Sequence, residues 1–522
     1  MACGSVSPAR AEPADNPDHR LAAMLKQHGF TGSVQASLER RLGRSLNPEL
    51  VDLGRLLWFD SITSLGNDNS CSGCHSPAFG FGDSQSIAIG VENNGIVGPD
   101  RAGPRNQRRT PQMINSGFYP SLMWNARFSA TSHNAFDLSD GTRVPYFLGG
   151  TTVWHAGSAC IVGTCFDPQI TRTLLGVQAN FPPTEMIEVA GFAVTDLDEV
   201  DLRLYYPAHR VSSGMDSDTV PEEIAGPNGS PPDSIDRGYA IRQKVLARLN
   251  AAPDYVARFA SIYPAAAEGH ITMAQVGAAI AEFEFSNTFA DAPLDRFARG
   301  ERSAMTPAQK RGAMLFFDSA GCVSCHTVAG ESNEMFSDFQ THVAGIPQIA
   351  PKGFGLKQGG NPQNPDDLPG NFEFSGLSHD EDFGREELTG DPVDRYAFRT
   401  APLRNLILQP AFFHNGAFTR LKDALQYHLY TMDAAPAYDP VAAGLDADLT
   451  VRHGPIEPVL KRLDPRIIAM NNMALSDHEF ADLLEFLRSG LLDRRALPEN
   501  LCKVIPASVP SGRKVLTFQG CH

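Results

Sequence analysis

Two short motifs, CSGCH at residues 71–75 and CVSCH at residues 322–326, constrain the fold of this 522-residue chain more than any other feature. Each places two thiols one helical turn apart and an imidazole directly after the second thiol. Three kinds of site use such a pattern: half of a zinc site, a redox-active dithiol, and an attachment point for haem c. One copy alone does not distinguish these three sites, so the sequence around both copies has to be compared.

Each motif follows the same local unit. NPELVDLGRLLWFD (47–60) precedes the first motif, and TPAQKRGAMLFFD (306–318) precedes the second. In both units an Asn or Thr suited to helix capping stands before a proline suited to the first helical position. The spacing predicts a duplicated helix that leads into a ligand loop.

The repetition continues after the motifs. RTPQMIN (109–115) matches RTAPLRN (399–405), and apolar residues at helical spacing predict a closing helix in each half, over 271–285 and 475–491. Stretches rich in Gly, Pro and Asn between these segments, such as 352–372, predict long loops. We therefore expect a mainly α protein with two helical domains that meet near residue 300.

These helical surroundings favour haem c over the other two sites. Zinc needs a second Cys/His cluster close by, and a thioredoxin-type dithiol needs a βαβ setting. Haem c needs two thiols that reach its vinyl groups and one histidine as an iron ligand. Two copies in matching repeats predict two covalently bound haem c groups, held by Cys71, Cys74, His75, Cys322, Cys325 and His326.

Over most of residues 45–490 the chain resembles the bacterial di-haem cytochrome c peroxidase family, including its MauG-like branch. The resemblance is carried, in the family's order, by SLGNDNSCSGCHSPAFGFGD, RRTPQMIN, MWNAR, PPTEM, PLDRFARG, GCVSCH, FSDFQTHVAGIP, FRTAPLRN and FFHNG. It implies a mainly α fold with two cytochrome c-like helical domains, each with long loop insertions. The expected division is a tail or linker (1–44), an N-terminal peroxidatic domain (45–299), a C-terminal electron-transfer domain (300–492) and a disulfide-pinned tail (493–522).

The resemblance also implies an oxidoreductase that uses hydrogen peroxide, with peroxide cleaved at the N-terminal haem and electrons transferred by the C-terminal haem. Glu185 in PPTEM matches the family's catalytic acid, and Trp124 matches the tryptophan between the haems. The family's glutamine ten residues before that acid falls on Leu175, with Gln178 as the nearest substitute. A surface carboxylate and a core aromatic are the plain alternatives for Glu185 and Trp124.

Each haem iron has a second coordination position, opposite the histidine of its motif, and the two positions differ in the ligand that the sequence offers. Many relatives carry a distal histidine after the first motif, but no histidine occurs between His75 and His133, so we expect an N-terminal haem that is already open to peroxide. By count, the sixth ligand of the C-terminal iron falls on His428, with a solvent-facing histidine as the alternative. Other candidates for that ligand are Tyr427, Tyr430 and Met432.

A calcium ion between the domains is common in the family. Its carbonyl ligands correspond to Thr400 and Pro402, whereas its Asn ligand falls on Arg109, with Asn106 three residues away. Because calcium is bound by oxygen ligands, a cation at that position disfavours it.

The net charge of −16 and the pI of about 5.4 argue against nucleic acid or an anionic membrane surface as the main partner. The resemblance implies a small electron-donor protein, a cytochrome c or a cupredoxin. In the MauG-like alternative the partner is a protein whose Trp or Tyr side chains are oxidised. A non-enzymatic di-haem electron carrier is the alternative of another class.

The cysteines also indicate a location. Beyond the two motifs, Cys160 with Cys165 and Cys502 with Cys521 suit short disulfides of an oxidising compartment, which leaves Cys3 as the odd thiol. We therefore expect a periplasmic protein, or one otherwise outside the cytoplasm, with a lipid anchor on Cys3 as a further expectation. Five free buried thiols are the alternative. The sequence contains no run of 18 apolar residues, so it predicts no transmembrane helix.

Overall fold

A computed structural model describes residues 16–103, 105–106, 108–145, 151–154, 170–190, 234–350, 382–449, 451–452, 455–471 and 473–521. The described chain is mainly helical, as the sequence predicts. None of its helices combines the length and the apolar character needed to cross a bilayer. The helices are α1 (Pro17–Gln27), α2 (Leu38–Leu42), α3 (Pro48–Phe59), α4 (Cys71–Cys74), α5 (Leu174–Gln178), α6 (Ser234–Asn250), α7 (Pro253–Ile262), α8 (Met273–Ser286), α9 (Pro293–Ala298), α10 (Pro307–Phe317), α11 (Glu386–Thr389), α12 (Leu421–Leu429), α13 (Thr431–Ala434), α14 (Ile456–Leu460), α15 (Pro465–Asn471), α16 (Asp477–Glu485) and α17 (Pro498–Leu501).

The strands are short. An antiparallel sheet has the order β2–β3–β4–β5, β6 pairs with β8 and β7 with β9, both antiparallel, and β1 pairs in parallel with β10. Their bounds are β1 (Ile96–Val97), β2 (Ser121–Leu122), β3 (Phe128–Ala130), β4 (Thr142–Pro145), β5 (Thr151–Trp154), β6 (Thr341–His342), β7 (Ile349–Ala350), β8 (Phe398–Arg399), β9 (Val451–Arg452) and β10 (Thr517–Phe518).

The duplicated helices α3 and α10 begin where the sequence predicts. The Asn47 side chain accepts hydrogen bonds from the first backbone N–H groups of α3, and Thr306 forms a capping box with Gln309 at the start of α10. Prolines occupy the first helical position in both. The predicted capping is therefore confirmed.

Each duplicated helix packs on the closing helix of its own half: α3 on α8, and α10 on α16. A Cβ atom on Gly54 would lie 1.8 Å from the carbonyl oxygen of Ala279, and one on Gly312 would lie 2.0 Å from that of Asp482. Both crossings thus bring backbone against backbone, so only glycine fits at these equivalent positions.

The described parts of the two predicted tails pack against the hydrophobic cores of the two halves. Helix α1 buries Leu21 and Leu25 in the core of the C-terminal half, beside Phe316 and Phe486. The last residues return to the N-terminal half, where Phe518 joins its core, and the predicted Cys502–Cys521 disulfide closes this segment. The described part of each tail carries apolar residues whose burial stabilises the fold, which explains why both parts pack against a core.

Several predicted features lie outside the described residues. They are the loop 352–372 and the cysteines Cys3, Cys160 and Cys165.

The two halves meet through their second repeated segment. Asn115 and Asn405, the last residues of RTPQMIN and RTAPLRN, both adopt positive φ angles, of 67° and 58°. Both donate their side-chain amide to the same carbonyl oxygen, that of Phe289, at 3.0 and 2.9 Å. The segment after α8 therefore ties the two repeats to one point.

Candidate functional site

The first CxxCH motif folds as the single turn α4, with His75 directly after it. The Nδ1 atom of His75 donates to the carbonyl oxygen of Phe81 at 2.9 Å, and its ring lies 5.4 Å from that of Trp58. Burial lowers the pKa of His75 to about 4, so the imidazole is neutral at pH 7. A neutral imidazole held through Nδ1 has Nε2 left for a metal.

The second motif repeats this arrangement. His326 donates from Nδ1 to the carbonyl oxygen of Phe336 at 2.8 Å. The ring centroid of His428, on α12, lies 6.4 Å from that of His326. Two metal–nitrogen bonds of about 2 Å place the rings on either side of an ion at a separation of about 6 Å. The two imidazoles therefore have the spacing of a pair that shares one metal.

Of the four candidate sixth ligands, all of them described, only His428 lines the cavity in front of His326. Tyr427 donates its hydroxyl to the carbonyl oxygen of Gly345 at 2.5 Å, and Met432 is 47% exposed. The solvent-facing alternative for His428 does not hold, because its ring lines this cavity and its Nδ1 atom is buried.

The four motif thiols are unpaired, and among the described residues neither motif has a second Cys/His cluster beside it. One group with metal-ligand chemistry does occur in the described chain, formed by Cys325, Asp338 and His342. Its histidine is already engaged, at 2.8 and 2.9 Å, by Asp338 and Asp464. The arrangement thus suits haem attachment better than a zinc site.

Each motif opens on a cavity with mainly apolar walls. The first is lined by Cys71, Cys74 and His75, and the second by Cys322, Cys325 and His326. Each cavity therefore offers two thiols and one fixed imidazole beside an apolar space, which is the donor set that haem c uses.

Trp124 lines both cavities. Its indole Nε1 donates to the carbonyl oxygen of Arg109 at 2.6 Å, and its own carbonyl accepts from the backbone N–H of Arg399 at 2.7 Å. The tryptophan is thus held from both halves of the chain in the wall between the two candidate centres.

The first cavity has acidic residues in its wall and behind it. Glu185 is 8% exposed, and its Oε1 lies 3.5 Å from Nη1 of Arg127, which lines the cavity. Glu185 itself is set back from the lining, whereas Glu188 belongs to it. Burial raises the pKa of Glu188 to about 7, and the neighbouring Glu185 adds to this rise while Arg127 opposes it.

Two acids of this cavity were not predicted from the sequence. Glu188 follows Glu185 by three residues, a spacing that places both on one face of a helical turn. Glu284 also lines the cavity, and burial raises its pKa to about 8. Its sequence signal was a carboxylate within an otherwise apolar helix. Leu175 and Gln178 both line the same cavity.

Among the described residues that line the first cavity, His75 is the only histidine. The second cavity instead has His428 opposite the histidine of its motif. The two cavities therefore differ in the one feature that decides whether an iron has a free face.

The predicted calcium ligands lie in the wall of the second cavity, where Thr400 and Pro402 occur together with Arg109. The Thr400 carbonyl oxygen already accepts the hydroxyl of Ser337 at 2.7 Å. Arg109 brings a guanidinium where calcium needs oxygen ligands. The guanidinium therefore disfavours calcium at this place; calcium stays a prediction and has no part in the function proposed below.

A family model described as di-haem cytochrome c peroxidase matches residues 48–303. The cytochrome-c peroxidase IdrP2 of Denitromonas iodatirespirans is 24% identical over 422 residues, which cover 78% of this chain and 83% of that protein. The methylamine utilization protein MauG of Methylorubrum extorquens is 24% identical over 435 residues, covering 83% and 82%. A crystal structure of a variant of the diheme peroxidase BthA from Burkholderia thailandensis aligns with a TM-score of 0.50 and 17% identity over 90% of each chain, which supports the fold.

Proposed function

The chain belongs to the di-haem cytochrome c peroxidase family, and from this premise we propose a division of labour between its two centres. The protein is an oxidoreductase of the peroxidase type. We propose that hydrogen peroxide is cleaved at the N-terminal haem, which is held by Cys71, Cys74 and His75. Electrons pass through the C-terminal haem, which is held by Cys322, Cys325 and His326.

One observation carries this assignment: among the described residues, the second cavity has a second imidazole at coordination spacing and the first does not. His428 faces His326 with ring centroids 6.4 Å apart. His326 and His428 would together hold the iron of a bound haem, which would leave no site for peroxide and would suit electron transfer. The described lining of the first cavity has no histidine besides His75 and includes the carboxylates of Glu188 and Glu284, which suits peroxide cleavage.

When bound, the haem supplies the iron to which peroxide binds. The chain's own residues supply the proton transfer, because cleavage of the O–O bond needs a proton moved from one oxygen to the other. Glu188 lines the first cavity, and Glu185 lies behind the lining, where its carboxylate is 3.5 Å from Arg127. We assign the proton transfer to Glu185, with Glu188 as the second acid of the pair.

Trp124 is the proposed route for electrons between the two centres. It lies in the wall that both cavities share, and it is hydrogen-bonded to both halves. An indole in this position shortens the path between the haems through a polarisable aromatic ring.

The proposal is tested by the optical spectrum of the oxidised protein with and without peroxide. A high-spin haem that responds to peroxide without prior reduction is expected. A spectrum of two low-spin haems that does not change with peroxide would instead indicate a non-enzymatic di-haem electron carrier.

Changing Cys322 and Cys325 to Ala is expected to halve the covalent haem, because the two thioether bonds of one centre are lost. The matched pair Cys71→Ala and Cys74→Ala is expected to remove the other haem and abolish the peroxide response. Intact mass and haem staining after acid-acetone extraction measure both. Haem that extracts freely from the native protein would contradict covalent attachment.

His428→Ala is expected to convert the C-terminal haem from low spin to high spin, because the iron loses its second imidazole. Electron paramagnetic resonance of the oxidised protein measures the change. Met432→Leu, at a 47% exposed position, is the control and is expected to leave the spectrum unchanged. If the low-spin signal persists in His428→Ala, the sixth ligand is Tyr427, Tyr430 or Met432 instead.

The electron donor or protein substrate belongs to one of two classes. We propose a small cytochrome c or cupredoxin as donor, and its surface is expected to be positive because this chain carries a net charge of −16. The similarity to MauG and the open first cavity favour a second candidate, oxidation of Trp or Tyr side chains on a partner protein. Peroxide turnover with reduced donors of either charge, compared at low and high salt, separates the two.

We propose that the protein works in the periplasm or elsewhere outside the cytoplasm. The Cys502–Cys521 disulfide supports an oxidising compartment. Lipid anchoring through Cys3 remains part of the proposal, and labelling with a radioactive fatty acid in wild type and Cys3→Ala tests it.

A further inference from the structure

The wall between the two cavities carries two positive charges. The residues that line both cavities are Arg109, Pro111, Gln112, Tyr119, Trp124 and Arg399. Both arginines are only 4% exposed. Burial lowers the pKa of each to about 10, so both stay protonated at neutral pH.

The described chain offers neither arginine a carboxylate within ion-pair distance. Arg109 donates from Nη1 to the carbonyl oxygen of Ala411 and from Nη2 to Oε1 of Gln409 at 2.6 Å, while its Nε has no partner. Arg399 donates from Nε to the carbonyl oxygen of Met123 at 2.9 Å and from Nη1 to that of Thr400 at 3.4 Å. Every acceptor is neutral, and several of the five N–H donors on each guanidinium are left over.

Other buried arginines near the wall have carboxylate partners. Arg108 pairs with Asp382 at 2.6 Å and Glu387 at 2.7 Å. Arg105 pairs with Asp446 at 2.8 Å and with Asp448 at 2.5 Å. The buried Asp83 carboxylate attracts Arg109 from beyond ion-pair distance and balances its charge only in part. A buried charge without a close counter-charge is costly, so two such charges in one wall call for an anion.

Haem c supplies that anion, because thioether attachment uses the vinyl groups and leaves two propionate carboxylates on each haem. We propose that Arg109 and Arg399 form one carboxylate-binding site that holds a propionate from each haem at the shared wall. The guanidinium fork matches a carboxylate in shape as well as charge. This inference rests on the proposed function, since it requires both haems.

Arg109→Gln tests the site, with the reduction potentials of both haems as the readout. A positive charge close to a haem favours the reduced iron, so its loss is expected to lower the ratio of reduced to oxidised haem at a given potential by about tenfold, a downward shift of about 59 mV. Arg109→Lys keeps the charge and is expected to shift the potentials less.

Arg105→Gln is the matched control. Arg105 is also a buried cation that joins the two halves, but its charge is already balanced by Asp446 and Asp448. Its removal is expected to leave both potentials in place. Equal shifts in Arg109→Gln and Arg105→Gln would overturn the proposal, because they would reflect a general loosening between the halves.

A crystal structure of the haem-loaded wild-type protein tests the site without any variant. Propionate oxygens are expected within about 3 Å of the guanidinium nitrogens of Arg109 and Arg399. Propionates that turn away from both arginines overturn the inference even if each chain carries two haems. Fewer than two covalent haems per chain would instead overturn the proposed function, so the two failures are distinguishable.

Discussion

Replacing Glu185 by glutamine is expected to slow peroxide turnover by roughly 10²- to 10⁴-fold, with both haems still attached. Glutamine keeps the shape of the side chain and can still contact Arg127, which lies 3.5 Å from the Glu185 carboxylate. It cannot carry a proton between the two peroxide oxygens, however. Initial rates of peroxide-dependent oxidation of a reduced donor measure the loss, and haem content shows that the fold is retained.

Glu188→Gln is the matched comparison, because it changes the acid that lines the cavity three residues further on. A smaller loss is expected there if Glu185 is the proton carrier. A large loss in Glu188→Gln beside a nearly normal Glu185→Gln would move the role to Glu188, whose pKa burial raises to about 7. Normal rates in both variants would remove this acidic pair from the mechanism.

Asp295→Ala is expected to lower the free energy of unfolding by about 3–5 kcal/mol, because it removes the carboxylate hydrogen-bonded to the buried Arg404 guanidinium. The charge is then left with only the more distant Glu334 carboxylate, at 3.9 Å. Asp295 is 0% exposed and receives two hydrogen bonds from Arg404, at 2.7 and 2.8 Å. The pair joins α9 to the repeat RTAPLRN, so it also orders the junction of the two halves. Denaturant unfolding of the haem-loaded protein, followed by circular dichroism, measures the change.

Arg20→Ala is the control for this second prediction. It breaks an ion pair with Asp318 in which the two side chains are 64% and 59% exposed. Water screens such a pair, so a loss below about 1 kcal/mol is expected. A loss in Asp295→Ala no larger than in Arg20→Ala would mean that Arg404 finds another counter-charge.

Local chemistry explains which features could be predicted from residue order alone. The caps Asn47 and Thr306, the prolines after them and the CxxCH spacing act within one or two helical turns, so their outcome depends little on the rest of the chain. Cys502 and Cys521, which form the predicted disulfide, are also close in sequence, at a separation of 19 residues. The resemblance then supplied Glu185 and Trp124 as candidates, and their catalytic roles stay predictions.

Long-range packing explains what could not be predicted. Glu188 and Glu284 are separated by almost a hundred residues, and nothing in their local sequence shows that they line one cavity. The positions of the two tails depend equally on distant contacts. Helix α1 buries its apolar face in the C-terminal half, and Phe518 joins the N-terminal core.

The two CxxCH motifs, the duplicated helices and the mainly α fold can be read from residue order, because each depends on residue types at short, regular spacing. The folded structure was needed to see that His428 faces His326, with ring centroids 6.4 Å apart, while Tyr427 and Met432 do not line that cavity. It was also needed to see that Arg109 and Arg399 meet in one wall, where no described carboxylate lies within ion-pair distance of either. The physical reason is that coordination and ion pairing act through space over a few ångströms, and only the folded chain brings residues hundreds of positions apart to that distance.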